Sequence, residues 1–275
     1  DVYKRQMANL ATLACMLFYL IAVIQLLTNL SQTSKTVTDS SSPVPLSGLI
    51  GAVMHFIVIL IDAQQNQGLS SSFFDALSIT AFIVVNMCLI AQTRYPLRIL
   101  FIPVFLISII CVAMANRVSL HIPIVASSPG MLTHILSSII AYSLLCIAAL
   151  QAVALQMIDY SLRERNDSIW LRQLPPLQTM ETLMFQFMTM GWLILTIALI
   201  SGGTYVEDFF SQHLAHKTVL SLLSWLLFGL LLLGRHRYGW RGSLAVKWTI
   251  TAFITLVLAY FGTHFVLEII LKRTV

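Results

Sequence analysis

The chain has 275 residues, of which 58% are hydrophobic and only 10% charged, and its mean hydropathy is +0.86. A soluble domain carries about a quarter charged residues, so this composition excludes the soluble classes and points to a polytopic membrane protein. The formal charge of +5 does not point to nucleic acid, because the basic residues stand in short loops beside apolar runs, where they act as topology signals.

The opening hexapeptide, Asp1 to Gln6, matches the translation of a sequencing-adapter sequence and is read as an appendage, with the natural start near Met7 and a single membrane domain over 7–275. A bilayer core needs roughly 20 apolar residues per helix. About eight such runs follow in order: 8–30, 46–63, 73–91, 97–115, 131–158, 183–205, 218–233 and 244–271. The expected fold is therefore an all-α transmembrane bundle of about eight helices. The Ser/Thr-rich stretch 31–45 reads as a loop. The mixed segment 157–181 reads either as an amphipathic surface helix or as a solvated loop. Cys15, Cys88, Cys111 and Cys146 all fall in apolar runs without a Cys-x-x-Cys pattern, which argues against a thiol–disulfide carrier.

Loop charges set the orientation. Lys35, Arg94, Arg98, Arg163, Arg165, Arg172, Arg235, Arg237, Arg241 and Lys247 belong to one set of alternate loops, against Arg117, Lys217, Lys272 and Arg273 in the other: ten against four. The first set is assigned to the cytoplasm, which puts both termini outside. His236 is then cytoplasmic. His121, His213 and His216 fall in outer loops or at their helix ends, His264 in the outer half of the last helix, and His55 near the middle of the second. His134 lies about 6 Å inside the outer end of the fifth helix at 1.5 Å per residue. An ionisable group at membrane depth is a functional hypothesis by default.

Three histidines are cofactor-binding candidates. His134, Ser138 and Tyr142 recur four apart on one face of the fifth helix. His134 reads as a metal or haem ligand whose ring a serine, a tyrosine or a backbone carbonyl fixes, or as a polar contact between helices. His55 shares a face with Gly48, Gly51 or Ala52, and Asp62, and reads as a deeper ligand or an interhelical hydrogen bond. His216 begins the seventh helix as a ligand or a polar start signal. No zinc spacing accompanies the His213/His216 pair, so no metal beyond haem iron is expected. No phosphate loop, nucleophile elbow or zinc-protease pattern occurs, so a non-enzymatic protein is expected.

The stretch 174–242 carries a specific resemblance. Leu174-Pro175-Pro176-Leu177, Glu181, Leu183, Gly191, Leu195-Thr196, Ile200-Ser201-Gly202 and Gly239-Trp240-Arg241-Gly242 resemble the cytochrome c assembly family of the CcsA and CcmC type. Pro129-Gly130-Met131 through His134 to Tyr142, and Ala259-Tyr260-Phe261-Gly262, do so too. The core of the likeness covers about 127–271 and is closest to the YpjD/HemX-like branch of bacterial inner-membrane proteins. The resemblance implies haem as cofactor, held on the outer face between histidines over a tryptophan-rich loop. It also implies an inner-membrane location, with the bilayer and other maturation or membrane proteins as partners. This sequence departs from the pattern, because its outer loop 204–215 contains no Trp. Two readings stay open: haem binding, transport or maturation support, and a scaffold or regulator that keeps the family fold without haem. A solute transporter ranks below both, since only His55 stands near mid-membrane.

Overall fold

The computed structural model describes residues 2–32, 44–66, 68–70, 72–95, 97–117, 129–164, 176–205 and 215–262. These residues are helical almost throughout, with no strand among them. The helices are α1 (Val2–Gln32), α2 (Leu46–Gln65), α3 (Phe73–Gln92), α4 (Phe101–Arg117), α5 (Pro129–Arg163), α6 (Leu177–Tyr205), α7 (Ala215–Tyr238) and α8 (Ser243–Val257). A 3₁₀ turn, Arg98–Leu100, leads into α4, and a π-helical turn, Leu258–Gly262, continues α8. Among the described residues, eight spans are long and apolar enough to cross a membrane, as the hydropathy of the runs requires. α5, with 35 residues, is about 52 Å long, well beyond the roughly 30 Å hydrocarbon core.

Several ends differ from the expected ones. α6 starts at Leu177, six residues before the apolar run, because the Pro176 carbonyl accepts from the Thr179 and Met180 amides at 2.8 and 3.2 Å and opens the helix there. α5 continues to Arg163 past the apolar run, closed by an Arg163–Asp159 pair at 2.9 Å one turn apart. The surface helix considered for 157–181 is thus divided between the end of α5 and the start of α6, and its middle, 165–175, lies outside the described residues.

The contacts fall into two compact units, one holding α1–α4 and the other α5–α8. In the first, α1 packs on α2 and α4, and α3 packs on α4. Tyr19, Phe101 and Phe105 are fully buried there, and the Tyr19 and Phe105 rings stack at 5.0 Å. Gly51 admits the Tyr19 ring, which would stand 2.6 Å from a Cβ at that position. The outward stripe of α1, Leu10, Leu13, Leu17, Leu20, Ile24 and Leu27, is exposed at helical spacing, a face suited to lipid rather than water.

In the second unit the long α5–α6 pair is the centre. Its seam on α5 is built from small residues, Ser137, Ala141, Ala148 and Ala152, all buried, which allow the close approach that membrane helices use in place of a hydrophobic drive. α7 and α8 form a hairpin whose turn explains the Gly-Trp-Arg-Gly motif. Gly239 and Gly242 hold φ values of +67° and +62°, which L side chains rarely adopt, and Trp240 folds back onto Gly234. Beside it Arg235 reaches Glu181 of α6 at 2.8 Å, with its guanidinium 3.7 Å from the centre of the Phe185 ring. The motif is thus a structural clasp at the end of the unit where α6 begins and α7 ends.

Candidate functional site

The α5–α8 unit places His134 one turn into α5, where α6 ends. Its Nδ1 lies 2.7 Å from the Ala198 carbonyl of α6. A carbonyl can only accept, so Nδ1 carries the proton and donates. In the neutral ring Nε2 then keeps its lone pair, and no hydrogen bond to it occurs among the described residues. One nitrogen held by a backbone carbonyl and the other left open is the arrangement that metal-ligating histidines use. The ring rests on Gly202: a Cβ there would stand 2.8 Å from both its Nδ1 and its Cε1. Ser201 donates to the same Ala198 carbonyl at 3.0 Å, so the Ser201-Gly202 pair braces both the acceptor and the ring.

Of the three groups considered for holding this ring, it is the carbonyl that does so. Tyr142 instead donates to the Leu256 carbonyl of α8 at 3.2 Å, and its ring meets that of Tyr260 at 6.1 Å. Lys217, in the first turn of α7, stands 6.0 Å from the centre of the Tyr260 ring. The start of α7 therefore lies at the same end of this unit as His134. His216 is the second residue of α7, but its side chain, like all of His121, His213 and His264, lies outside the described residues.

His55 belongs to the other unit. It is fully buried in α2, with Tyr19 Oη 3.2 Å from Nδ1 and Ser78 Oγ 3.1 Å from Nε2. The hydroxyls serve as donor or acceptor, so both ring nitrogens are satisfied by protein. Phe82 closes the ring's flank at 5.4 Å.

One further group carries no motif in the sequence. Trp192 of α6 and Trp225 of α7 stack at 5.5 Å with their planes 17° apart. Trp192 Nε1 donates to the Trp225 carbonyl at 3.0 Å, and Trp225 Nε1 to Thr196 Oγ1 at 2.8 Å. Gly229 makes room for the pair. These two tryptophans join α6 to α7 within the spans.

The model of the cytochrome c assembly protein family matches residues 44–271, most of the described structure. The chain belongs to the cytochrome c assembly protein family. Among members of this family, the inner membrane protein YpjD of Escherichia coli (strain K12) is 32% identical over 230 residues, covering 82% of this chain and 86% of YpjD. An uncharacterized 28.8 kDa protein of Azospirillum brasilense is 28% identical over 77% of the chain and 79% of its own length. The cytochrome c biogenesis protein CcsA of Prochlorococcus marinus (strain NATL1A) is 26% identical over 40% of the chain and 36% of its own length. No solved structure gives a significant match. With eight apolar spans and the relatedness to YpjD, the chain is a multi-pass inner-membrane member of the cytochrome c assembly family. The family match takes in the His134 helix, the Ser201-Gly202 brace and the Gly-Trp-Arg-Gly clasp.

Proposed function

We propose that this protein binds haem at the outer end of its α5–α8 unit and supports haem transport or cytochrome c maturation without being an enzyme. The observation that carries the reading is His134, with Nδ1 bound to the Ala198 carbonyl at 2.7 Å, the ring seated on Gly202 and Nε2 without a partner among the described residues. The residues fit the group: the carbonyl orients the imidazole and raises its basicity, and the absence of a Cβ at Gly202 leaves space for the ring. His216, at the start of α7, is the second axial candidate; His55 could serve a deeper site only by giving up its bond to Tyr19 or to Ser78. When bound, haem would supply an iron whose axial ligands and pocket polarity set its access and potential. The protein's part is to hold the His134 ring in one tautomer and one direction. The loop-charge asymmetry supports an outward-facing site with both termini outside.

The first test is the absorbance spectrum of detergent-purified protein after haem-replete expression. A Soret band is expected, and His134→Ala should remove it while the protein still inserts and purifies. An unchanged band in that variant would make His134 a structural hydrogen-bonder. A second reading, a scaffold or regulator that keeps the fold without haem, is favoured by one observation: the outer loop 204–215 has no Trp. A colourless wild type that still co-purifies with membrane partners would support it.

A further inference from the structure

The basic end of the α5–α8 unit holds a groove that the haem reading does not use. It lies between the last turns of α5 and the first turns of α8, and Gln156, Asp159, Tyr160, Arg163, Ser243 and Lys247 line it. The four residues on α5 recur at i, i+3, i+4 and i+7, and Ser243 and Lys247 stand one turn apart on α8. Each set therefore shares one helix face, and two polar stripes from neighbouring helices meet in the groove.

Lys247 stands about 6 Å beyond the start of α8 at 1.5 Å per residue. It lies inside a segment apolar enough to span a membrane, and its side chain is exposed on the outside of the unit. A charge at that depth is costly unless it is paired or reaches the headgroup level. Asp159, the carboxylate on the wall, does not pair it, because its Oδ2 takes Arg163 Nη2 at 2.9 Å. No ion pair or hydrogen bond of Lys247 occurs among the described residues. Two cations and one carboxylate thus line the groove and leave one positive charge over. Arg163 keeps binding capacity, since the bond to Asp159 engages one nitrogen of a guanidinium that carries five N–H donors. Around the groove the surplus is of the same sign: Arg237 and Arg241 are exposed against Glu164, while Arg235 and Glu181 already hold each other.

The groove opens onto a lipid-facing stripe. Val153, Met157 and Tyr160 of α5 follow one another at helical spacing and are 43%, 66% and 60% exposed, and Leu244, beside Ser243, is 43% exposed. An apolar stripe that runs into a wall with a positive surplus matches an amphiphile, with hydrocarbon on the stripe and a negative headgroup on the wall. Basic pockets between membrane helices hold anionic headgroups in this way. A free inorganic anion would gain nothing from Val153 and Met157, so the surroundings of the groove favour a lipid.

We propose that the groove between α5 and α8 binds one anionic phospholipid. Lys247 and Arg163 receive its phosphate, Ser243 and Gln156 donate to the headgroup, and the acyl chains lie against Val153, Met157 and Leu244. The lipid fastens the end of α5 to the α7–α8 hairpin. The site is at the opposite end of α5 from His134 and uses no haem ligand.

The test is native mass spectrometry of the full-length protein in detergent, titrated with phosphatidylglycerol or with phosphatidylcholine. One phosphatidylglycerol per chain should be retained under conditions that strip phosphatidylcholine. Lys247→Gln should lower that affinity at least about fivefold, and Lys247→Arg should restore most of it. Arg117→Gln, which removes a basic residue at the end of α4 in the other unit, should leave it unchanged. Circular dichroism checks that each variant is folded, and Arg163→Gln gives the same reading if Lys247→Gln is not. Equal retention of the two lipids, wild-type affinity in folded Lys247→Gln, or an equal loss in Arg117→Gln would overturn the proposal. So would displacement of the lipid by millimolar inorganic phosphate, which would make the groove a site for a free anion.

Discussion

Gly202→Ala separates the stability of the α5–α6 pair from the ligand role of His134. The new Cβ would stand 2.8 Å from His134 Nδ1 and Cε1. Comfortable carbon contacts begin near 3.5 Å, so the ring must retreat by about 0.7 Å. Retreat along the hydrogen bond would stretch the 2.7 Å contact with Ala198 to about 3.4 Å, beyond the roughly 3.2 Å reach of a good N–H···O bond. Losing that bond costs about 0.5–1.5 kcal/mol. Alanine in place of glycine within a helix returns about 1 kcal/mol. Folding stability should therefore change by less than about 1 kcal/mol, the difference of those two terms. Loss of a bond that orients a metal-ligating histidine typically lowers affinity about 10- to 100-fold, so haem retention should fall far more than stability. The assay pairs haem titration, followed at the Soret band, with equilibrium unfolding in mixed detergent micelles. Wild-type haem affinity in a folded Gly202→Ala protein would refute the seating of the ring on Gly202 as a condition of binding. A large loss of stability would show that α6 itself cannot accept the methyl group.

Arg235→Ala removes both the ion pair with Glu181 and the contact with Phe185. A partly buried, charge-assisted pair with a cation–π component should cost about 1–2 kcal/mol. Arg235→Lys should recover only part of that in the same unfolding assay, and a loss indistinguishable from zero in the alanine variant would argue against the clasp. Trp225→Ala empties the stack with Trp192 and should cost about 3–5 kcal/mol, whereas Thr196→Val, which removes the acceptor for Trp225 Nε1, should cost about 0.6 kcal/mol, the average for polar contacts between membrane helices. Near-ultraviolet circular dichroism should lose the paired-indole signal in the first variant and keep it in the second; equal effects would place the energy in the hydrogen bond instead of the rings. Reporter fusions after Arg98, Arg172 and Arg241 should all read cytoplasmic, and a periplasmic reading after Arg241 would reverse the assignment of the His134 end to the outside.

The sequence by itself determined the eight spans, because a bilayer demands apolar length and that demand is written in composition. It also brought out His134, since an ionisable residue at membrane depth stands out against an apolar run. Helix ends were less legible. The start of α6 depends on the Pro176 carbonyl accepting amide protons, and the carbonyl is common to every residue, so no letter marks it. For the same reason Ala198 could not be read as the group that holds His134: its side chain is a methyl, and only the packing of α6 on α5 brings its carbonyl within 2.7 Å. Gly202 belonged to the recognisable Ile200-Ser201-Gly202 motif, but the atom its missing Cβ makes room for lies 68 positions earlier in the chain, at His134. The Trp192–Trp225 stack is of the same kind. It joins residues on different helices, whose rotation about their own axes is set by side-chain packing between neighbours and not by periodicity within one run.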